Sequence, residues 1–348
     1  MKKVFRQCSL VLSLLFLTQS SLRAQTDRDV DNDNDNNNKD KKFEFVKKKS
    51  VNKSYNVSSS DKLSIENSFG KVEVHVWEKN EIKVDVDVEV SANTEEAAQK
   101  IFDRISIKDS QSGKEISFKT DMKDTHNDRN SKGDKSTMSI NYSISMPASN
   151  PLRIQNDFGS ITLPDYKGEV DLVSKFGKLN TGNLSSVKNV EVEFGKAKIG
   201  NISGGKLSVK YSKASIASLS GSIKLNLEFS SKVVLNLDNS LNNLDLNASY
   251  STVNLKPLGA LPASYTVSTS FGSFKNKTDI KFNSDDDDDD HGPKFDHEYS
   301  GKSGSGNVPV KVKSNFSTII LGDATEDDMK GKDKEKNKDK KKLKTKEI

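Results

Sequence analysis

Three lysines, a run of aspartates and four histidines are the side chains of this 348-residue chain that invite a chemical reading. His75, His126, His291 and His297 are scattered. None falls in an H-E-x-x-H spacing, which would put two imidazoles on one helix face around a metal. There is no G-x-S-x-G nucleophile elbow and no phosphate-cradling glycine loop. Asp85 and Asp87 stand at i, i+2 and face one side of a strand, as carboxylates on a solvated strand commonly do. Asp285, Asp286, Asp287, Asp288, Asp289 and Asp290, followed by His291, offer weak, non-specific cation binding, because a consecutive run lacks the preorganised angles that select an ion. The alternating aspartates from Asp27 to Asp35 do not make a calcium loop. Counted from Asp31, Asn36 and Lys42 occupy the positions where such a loop needs Gly and Glu. No catalytic residue, specific metal site or cofactor is expected. Lys178, Lys196 and Lys213 remain, and their meaning depends on the elements that carry them.

Those elements repeat. Phe69, Phe158, Phe176, Phe194, Tyr211, Phe229, Tyr250, Phe271 and Phe316 each follow an aliphatic residue four places earlier, such as Ile154, Leu172 or Val190. Each is followed at once by Gly or Ser: Gly70, Gly159, Gly177, Gly195, Ser212, Ser230, Ser251, Gly272, Ser317. From Phe158 to Phe271 the spacings are 18, 18, 17, 18, 21 and 21 residues. A third apolar residue comes three places after the aromatic in every window except at Lys232, where Val233 and Leu235 indicate a one-residue slip. Six windows add an apolar residue at +8: Trp77, Leu184, Ile202, Leu219, Leu237 and Leu258. A period near 20 residues marks stacked repeats.

Strand side chains alternate, so positions −4, −2 and 0 share a face, whereas after the aromatic the inward positions become +3 and +5. The chain must bend there, and Gly or Ser suits a tight corner. The pattern predicts an all-β fold, a parallel β-solenoid of 18–21-residue coils wound right-handed, with the nine aromatics as an internal ladder. Equivalent residues of adjacent coils would then lie ~4.8 Å apart. Lys175, Glu193, Lys210 and Glu228, each just before its aromatic, would alternate in sign along a column. A sandwich of antiparallel hairpins is the rival, but it leaves the period unexplained.

Residues 1–24 read as a secretory signal peptide: Lys2, Lys3 and Arg6, an apolar run from Leu10 to Leu17, and Ala24 as a cleavage point. Its removal takes away Cys8, the only cysteine, and with it any disulfide or thiol chemistry. Residues 25–50 are a low-complexity leader expected to be disordered, and 51–322 the repeat domain. Within it, 81–147 interrupts the ladder as an α+β excursion at the N-terminal end. Strands are expected near 82–90, 115–120 and 137–146, with a helix capped by Asn93. Residues 281–305 form an acidic loop insertion, and 323–348 a disordered lysine-rich tail. No run is apolar enough to span a membrane as a helix. The net charge of +5 is concentrated at the two ends. Without residues 1–24 and 330–348 the body is about −5, unlike a nucleic-acid-binding core with its basic face.

The segment Asn67-Ser-Phe-Gly-Lys-Val-Glu-Val, the strand ending at Met146-Pro147, and Leu152-Arg-Ile-Gln-Asn-Asp-Phe-Gly-Ser-Ile-Thr-Leu with its further coils resemble the bacterial putative-adhesin β-strand-repeat family of unknown function, many of whose members are exported. The resemblance covers about residues 55–322. It implies surface or envelope binding and carries no functional residue over. The acidic run and the lysine tail lie outside the pattern. The resulting expectation is an exported, non-enzymatic structural or adhesive protein. The alternatives are a carbohydrate-active enzyme on a solenoid scaffold, which would need acids and bases clustered on one outer face, and an envelope sensor or accessory protein. In register, Lys178, Lys196 and Lys213 would form a column ~5 Å from step to step, a docking strip for an acidic polysaccharide or another envelope component.

Overall fold

The computed structural model describes residues 43–123, 135–285 and 295–329. Among them are twenty-two strands and one helix, an all-β chain whose strands join one hydrogen-bonded sheet of mixed orientation. Through the repeats the pairing is parallel. The strands before the aromatics make one row: Leu63 pairs with Leu152, Leu172 with Ile154 and Val190, and Leu207 with Val190 and Leu225. The strands after the aromatics make a second row, in which Leu179 pairs with Ile161 and Ala197, and Ala197 with Ala214. Ala214 pairs with Val233, which is the slip expected at Lys232.

The sheet is not purely parallel as expected. Antiparallel strands need no crossover to lie beside a neighbour, and both ends of the stack add them. At the N-terminal end, Glu115–Met122 and Ser136–Met146 lie parallel to the Phe69 coil, and Glu81–Ala92 and Phe45–Asn56 then add antiparallel strands outside them. At the C-terminal end, Asp296–Lys302 runs antiparallel to Ala263–Ser270 and to Phe282–Ser284, where an acidic loop was expected. The chain does not stack its last coil last. Val312 pairs with both Leu246 and Val267, so the Phe316 coil slots between those of Tyr250 and Phe271. The antiparallel strand already covers the outer edge of Ala263–Ser270, which leaves only its inner edge open.

The interior is aliphatic. Every −4 residue is buried, and so are most of the +3 and +5 residues, among them Ile161, Leu163, Leu179, Ile199, Ile216, Leu255, Ile319 and Leu321, while Thr181 is half-buried. The +8 residues Leu184, Ile202, Leu219 and Leu237 join them, while Trp77 and Leu258 are only half-buried. Each Leu or Ile buried in this way gains about 1.5–3 kcal/mol over the exposed state. Asn67 and Asn156 are buried polar exceptions, and they satisfy each other. Asn67 Nδ2 donates to Asn156 Oδ1 at 3.0 Å, and Asn156 donates on to the Gly70 carbonyl.

The aromatics are not inside. They are 36–53% exposed, Phe194 being 45%. The cause is the backbone: all nine hold a positive φ, between 47° and 65°, so the corner is at the aromatic itself and its side chain swings outward. The glycines that follow in the Phe69, Phe158, Phe176, Phe194 and Phe271 coils are not in that region. They serve close approach instead: a Cβ on Gly177 would lie 1.7 Å from the Gly159 carbonyl oxygen.

Three boundaries also differ from expectation. Phe45–Asn56 is a strand, paired along its whole length with Glu81–Ala92, so ordered structure starts inside the presumed leader. Lysine stems can lie along apolar surface while their charged ends find partners: Lys49 lies over the Phe102 ring of the helix, and Lys47 reaches Glu95 at 2.8 Å. The helix, Glu95–Arg104, is capped by Thr94, whose hydroxyl accepts from Ala97 N–H, while Asn93 accepts from Lys135 N–H. Residues 323–329 pack where disorder was expected. Asp328 pairs with Lys275 at 3.6 Å and with Lys277, and Met329 is buried. The signal-peptide segment 1–24, residues 25–42 of the leader and residues 330–348 of the tail lie outside the described residues.

Candidate binding face

Positive φ at one residue per coil, repeated in register, builds an outer aromatic column. From Phe69 through Phe158, Phe176, Phe194, Tyr211, Phe229 and Tyr250, adjacent rings stack with centroids 4.7–5.2 Å apart and planes within 8°. Phe316 continues at 4.9 Å, then Phe271 at 5.0 Å. Phe295 ends the column, stacked on Phe271 at 4.8 Å. Phe295 lies outside the repeat and carries no Gly or Ser after it, so the period could not reveal it. Each stacked pair contributes about 0.5–1.5 kcal/mol beyond its area. Stacking also covers ring faces, so what each inner ring offers to solvent is its edge.

Beside the rings the chain places the three lysines as the period implies. Lys178 pairs with Lys196, and Lys196 with Lys213, on neighbouring parallel strands. Backbone bonds fix the step: Lys178, Lys196 and Lys213 N–H each donate to the carbonyl of Gly159, Gly177 and Gly195 at 3.0–3.1 Å. A groove of about 520 Å³ runs between the two columns, walled by Phe176, Phe194, Tyr211 and Phe229 on one side and by the lysines on the other. On the far side of the rings the alternating column forms as expected. Lys175 pairs with Glu193 at 3.2 Å and Lys210 with Glu228 at 3.6 Å. Hydrogen bonding to Glu193 raises the Lys175 pKa, which keeps that amine charged.

The other sequence candidates are dispersed. His75 is exposed at the end of a strand, and His297 stacks near Tyr299. Asp85 accepts from Asn52 and Lys83, and Asp87 from Ser50, the pattern of surface carboxylates in use by their neighbours. Asp285 accepts the Glu298 N–H at 2.9 Å. His126, His291 and Asp286 to Asp290 lie outside the described residues. Among the described residues no group of three or more potential ligands could hold a metal ion. One outer patch does mix acids and bases: a cleft of about 450 Å³ lined by Arg153, Asp171, Lys175, Lys188, Glu191 and Lys206. Its Asp171 is engaged by Arg153 at 2.7 Å and by Asn189 at 3.4 Å.

The solved structures that the chain resembles include putative adhesins. One is a putative adhesin from Bacteroides fragilis, 13% identical, covering 78% of this chain and 97% of that one with a TM-score of 0.35. A second is a putative adhesin from Parabacteroides distasonis, at 9%, 78% and 97% with a TM-score of 0.36. A third, from the same species, is a putative lipid binding protein, at 9%, 79% and 97% with a TM-score of 0.31. No protein-family profile and no curated protein matches the sequence. Among the described residues no helix is long and apolar enough to cross a membrane.

Proposed function

We propose that this chain is an exported, non-enzymatic protein of the cell envelope or surface, a β-solenoid whose outer aromatic–lysine face binds an envelope component. The observation that carries this reading is the exposed ring column. Monomeric soluble proteins seldom expose a contiguous apolar patch of such extent without a use for it. The column runs across coils rather than around a cavity, which suits a scaffold or an extended ligand better than a small substrate. The parallel, in-register coils support the solenoid, and the leader-like residues 1–24 support export. The lysine column gives the face a sign: a negatively charged envelope component, an acidic polysaccharide among them.

A second reading, a carbohydrate-active enzyme, is favoured by the Arg153–Asp171 cleft. It is the weaker reading, because Lys175 is held protonated by its bond to Glu193 and Asp171 is ion-paired with Arg153. Both side chains are thus engaged by partners rather than free to take a proton from a substrate. Fractionating cells that express the full chain, followed by protease shaving of intact cells, tests the main reading. Recovery in the envelope or the medium is expected, and recovery in the cytoplasm overturns it.

A further inference from the structure

The groove between the ring column and the lysine column is open along its length, and its chemistry narrows what can occupy it. Rings stacked 4.7–5.0 Å apart have no free faces in this stretch. Ligands that bind by laying a flat face on an aromatic, such as nucleobases, need those faces. A nucleic acid could therefore use only its phosphates here, and a neutral glycan only weak edge contacts.

Ring edges are the positive part of the aromatic quadrupole. Phe176, Phe194, Tyr211 and Phe229 turn these edges to the same groove into which Lys178, Lys196 and Lys213 project. Both walls thus favour negative charge, in a chain whose body is otherwise acidic. Among the described residues neither Lys178 nor Lys213 is held in an ion pair. The −1 column beyond the rings balances itself through Lys175–Glu193 and Lys210–Glu228, so it does not cancel Lys178 or Lys213. Within the groove the lysine repeats over three consecutive coils along the stack axis, so the complementary ligand spans several coils and bears negative charge at intervals. Its apolar C–H edges can lie against the rings while its carboxylates meet the ammonium groups.

We propose that this groove binds an extended acidic polysaccharide along the stack axis, its carboxylates on Lys178, Lys196 and Lys213 and its chain against the Phe176–Phe229 ring edges. This rests on the envelope-binding reading and names the ligand class for that face. The bond is charge-assisted and exposed, so it weakens as salt screens it.

The test is retention of the full chain on immobilised polygalacturonate, on amylose, and on vesicles containing an anionic phospholipid, at low and physiological salt. It compares wild type with the triple variant K178Q/K196Q/K213Q and with a control triple elsewhere on the outside, K224Q/K311Q/K313Q. Unchanged circular dichroism and urea midpoints establish that all three proteins fold. Wild type and control are expected to be retained on polygalacturonate and not on amylose. The first triple should bind roughly tenfold more weakly or worse, the least that losing three charge-assisted contacts should cost. Equal retention of the first triple and wild type, retention on amylose as strong as on polygalacturonate, or retention on the vesicles alone would each overturn the proposal. The envelope assignment would be untouched by any of these, because fractionation decides it separately.

Discussion

Phe158, Phe176 and Phe194 are each followed by a glycine, and Tyr211, Phe229 and Tyr250 by a serine, while the corner itself stays at the aromatic. The aromatic φ is nearly the same in both halves, 51–58° in the first and 47–50° in the second. In the glycine half the coils close on each other until no Cβ fits: on Gly159, Gly177 and Gly195 it would lie 1.7, 1.7 and 2.3 Å from a carbonyl oxygen of the preceding coil. In the serine half a side chain links the coils. Ser212, Ser230 and Ser251 N–H donate to the hydroxyls of Ser230, Ser251 and Ser317 at 3.0–3.3 Å. The hydroxyls of Ser212, Ser230, Ser251 and Ser317 in turn donate to the carbonyl two residues back at 2.6–2.9 Å. The corner is therefore held by contact in one half and by a relay of hydrogen bonds in the other.

That contrast can be broken from either side. The largest effect is expected for Gly177→Ala. The new Cβ meets backbone, which cannot rotate away, so urea unfolding should show a loss of about 3 kcal/mol or more. Ser230→Ala comes next, at about 1–3 kcal/mol, because it strands the buried Ser212 N–H. A Ser230→Ala loss as large as that of Gly177→Ala would mean that both halves depend on packing alone.

Phe194 sharpens the comparison at the residue the two halves share. Phe194→Ala should cost ~2 kcal/mol, less than the ~3–5 kcal/mol of a fully buried phenylalanine. Phe194→Gly should cost about 1 kcal/mol less than Phe194→Ala, because the left-handed conformation burdens alanine and not glycine. In an ordinary strand glycine would be the worse of the two. The smallest effect belongs to K178Q/K196Q/K213Q. Its unfolding free energy in urea should stay within about 0.5 kcal/mol of wild type, because the like charges removed from adjacent strands are solvent-screened.

Much of this was legible in the sequence, for a physical reason. Parallel in-register stacking forces equivalent residues together, so the period alone yields the Lys178–Lys196–Lys213 column, the Lys175–Glu193 and Lys210–Glu228 pairs and the slip at Lys232. The direction of the aromatics was not legible. Alternation puts position 0 inward, and only the positive φ at that residue reverses it. The Gly or Ser that follows fits either reading. The strand Phe45–Asn56 was hidden by its lysines, whose charges suggest a solvated leader although Lys47 and Lys49 reach Glu95 and Phe102 of the helix. The insertion of the Phe316 coil before that of Phe271 was hidden because sequence order and stacking order part only where a hairpin blocks an edge. At the binding face, the lysines were visible and the ring wall beside them was assigned to the core.

The outward ring column is the claim on which the binding face depends, and tyrosine nitration of the folded full chain tests it directly. Tyr211 and Tyr250 are members of the column and are about half exposed, whereas Tyr142, Tyr166 and Tyr265 are buried in the core. Brief treatment with tetranitromethane, followed by peptide mass spectrometry, should find Tyr211 and Tyr250 modified and the three core tyrosines unmodified until urea unfolds the chain. Protection of Tyr211 and Tyr250 to the same degree as Tyr142 in the folded monomer would put the column inside and contradict the account.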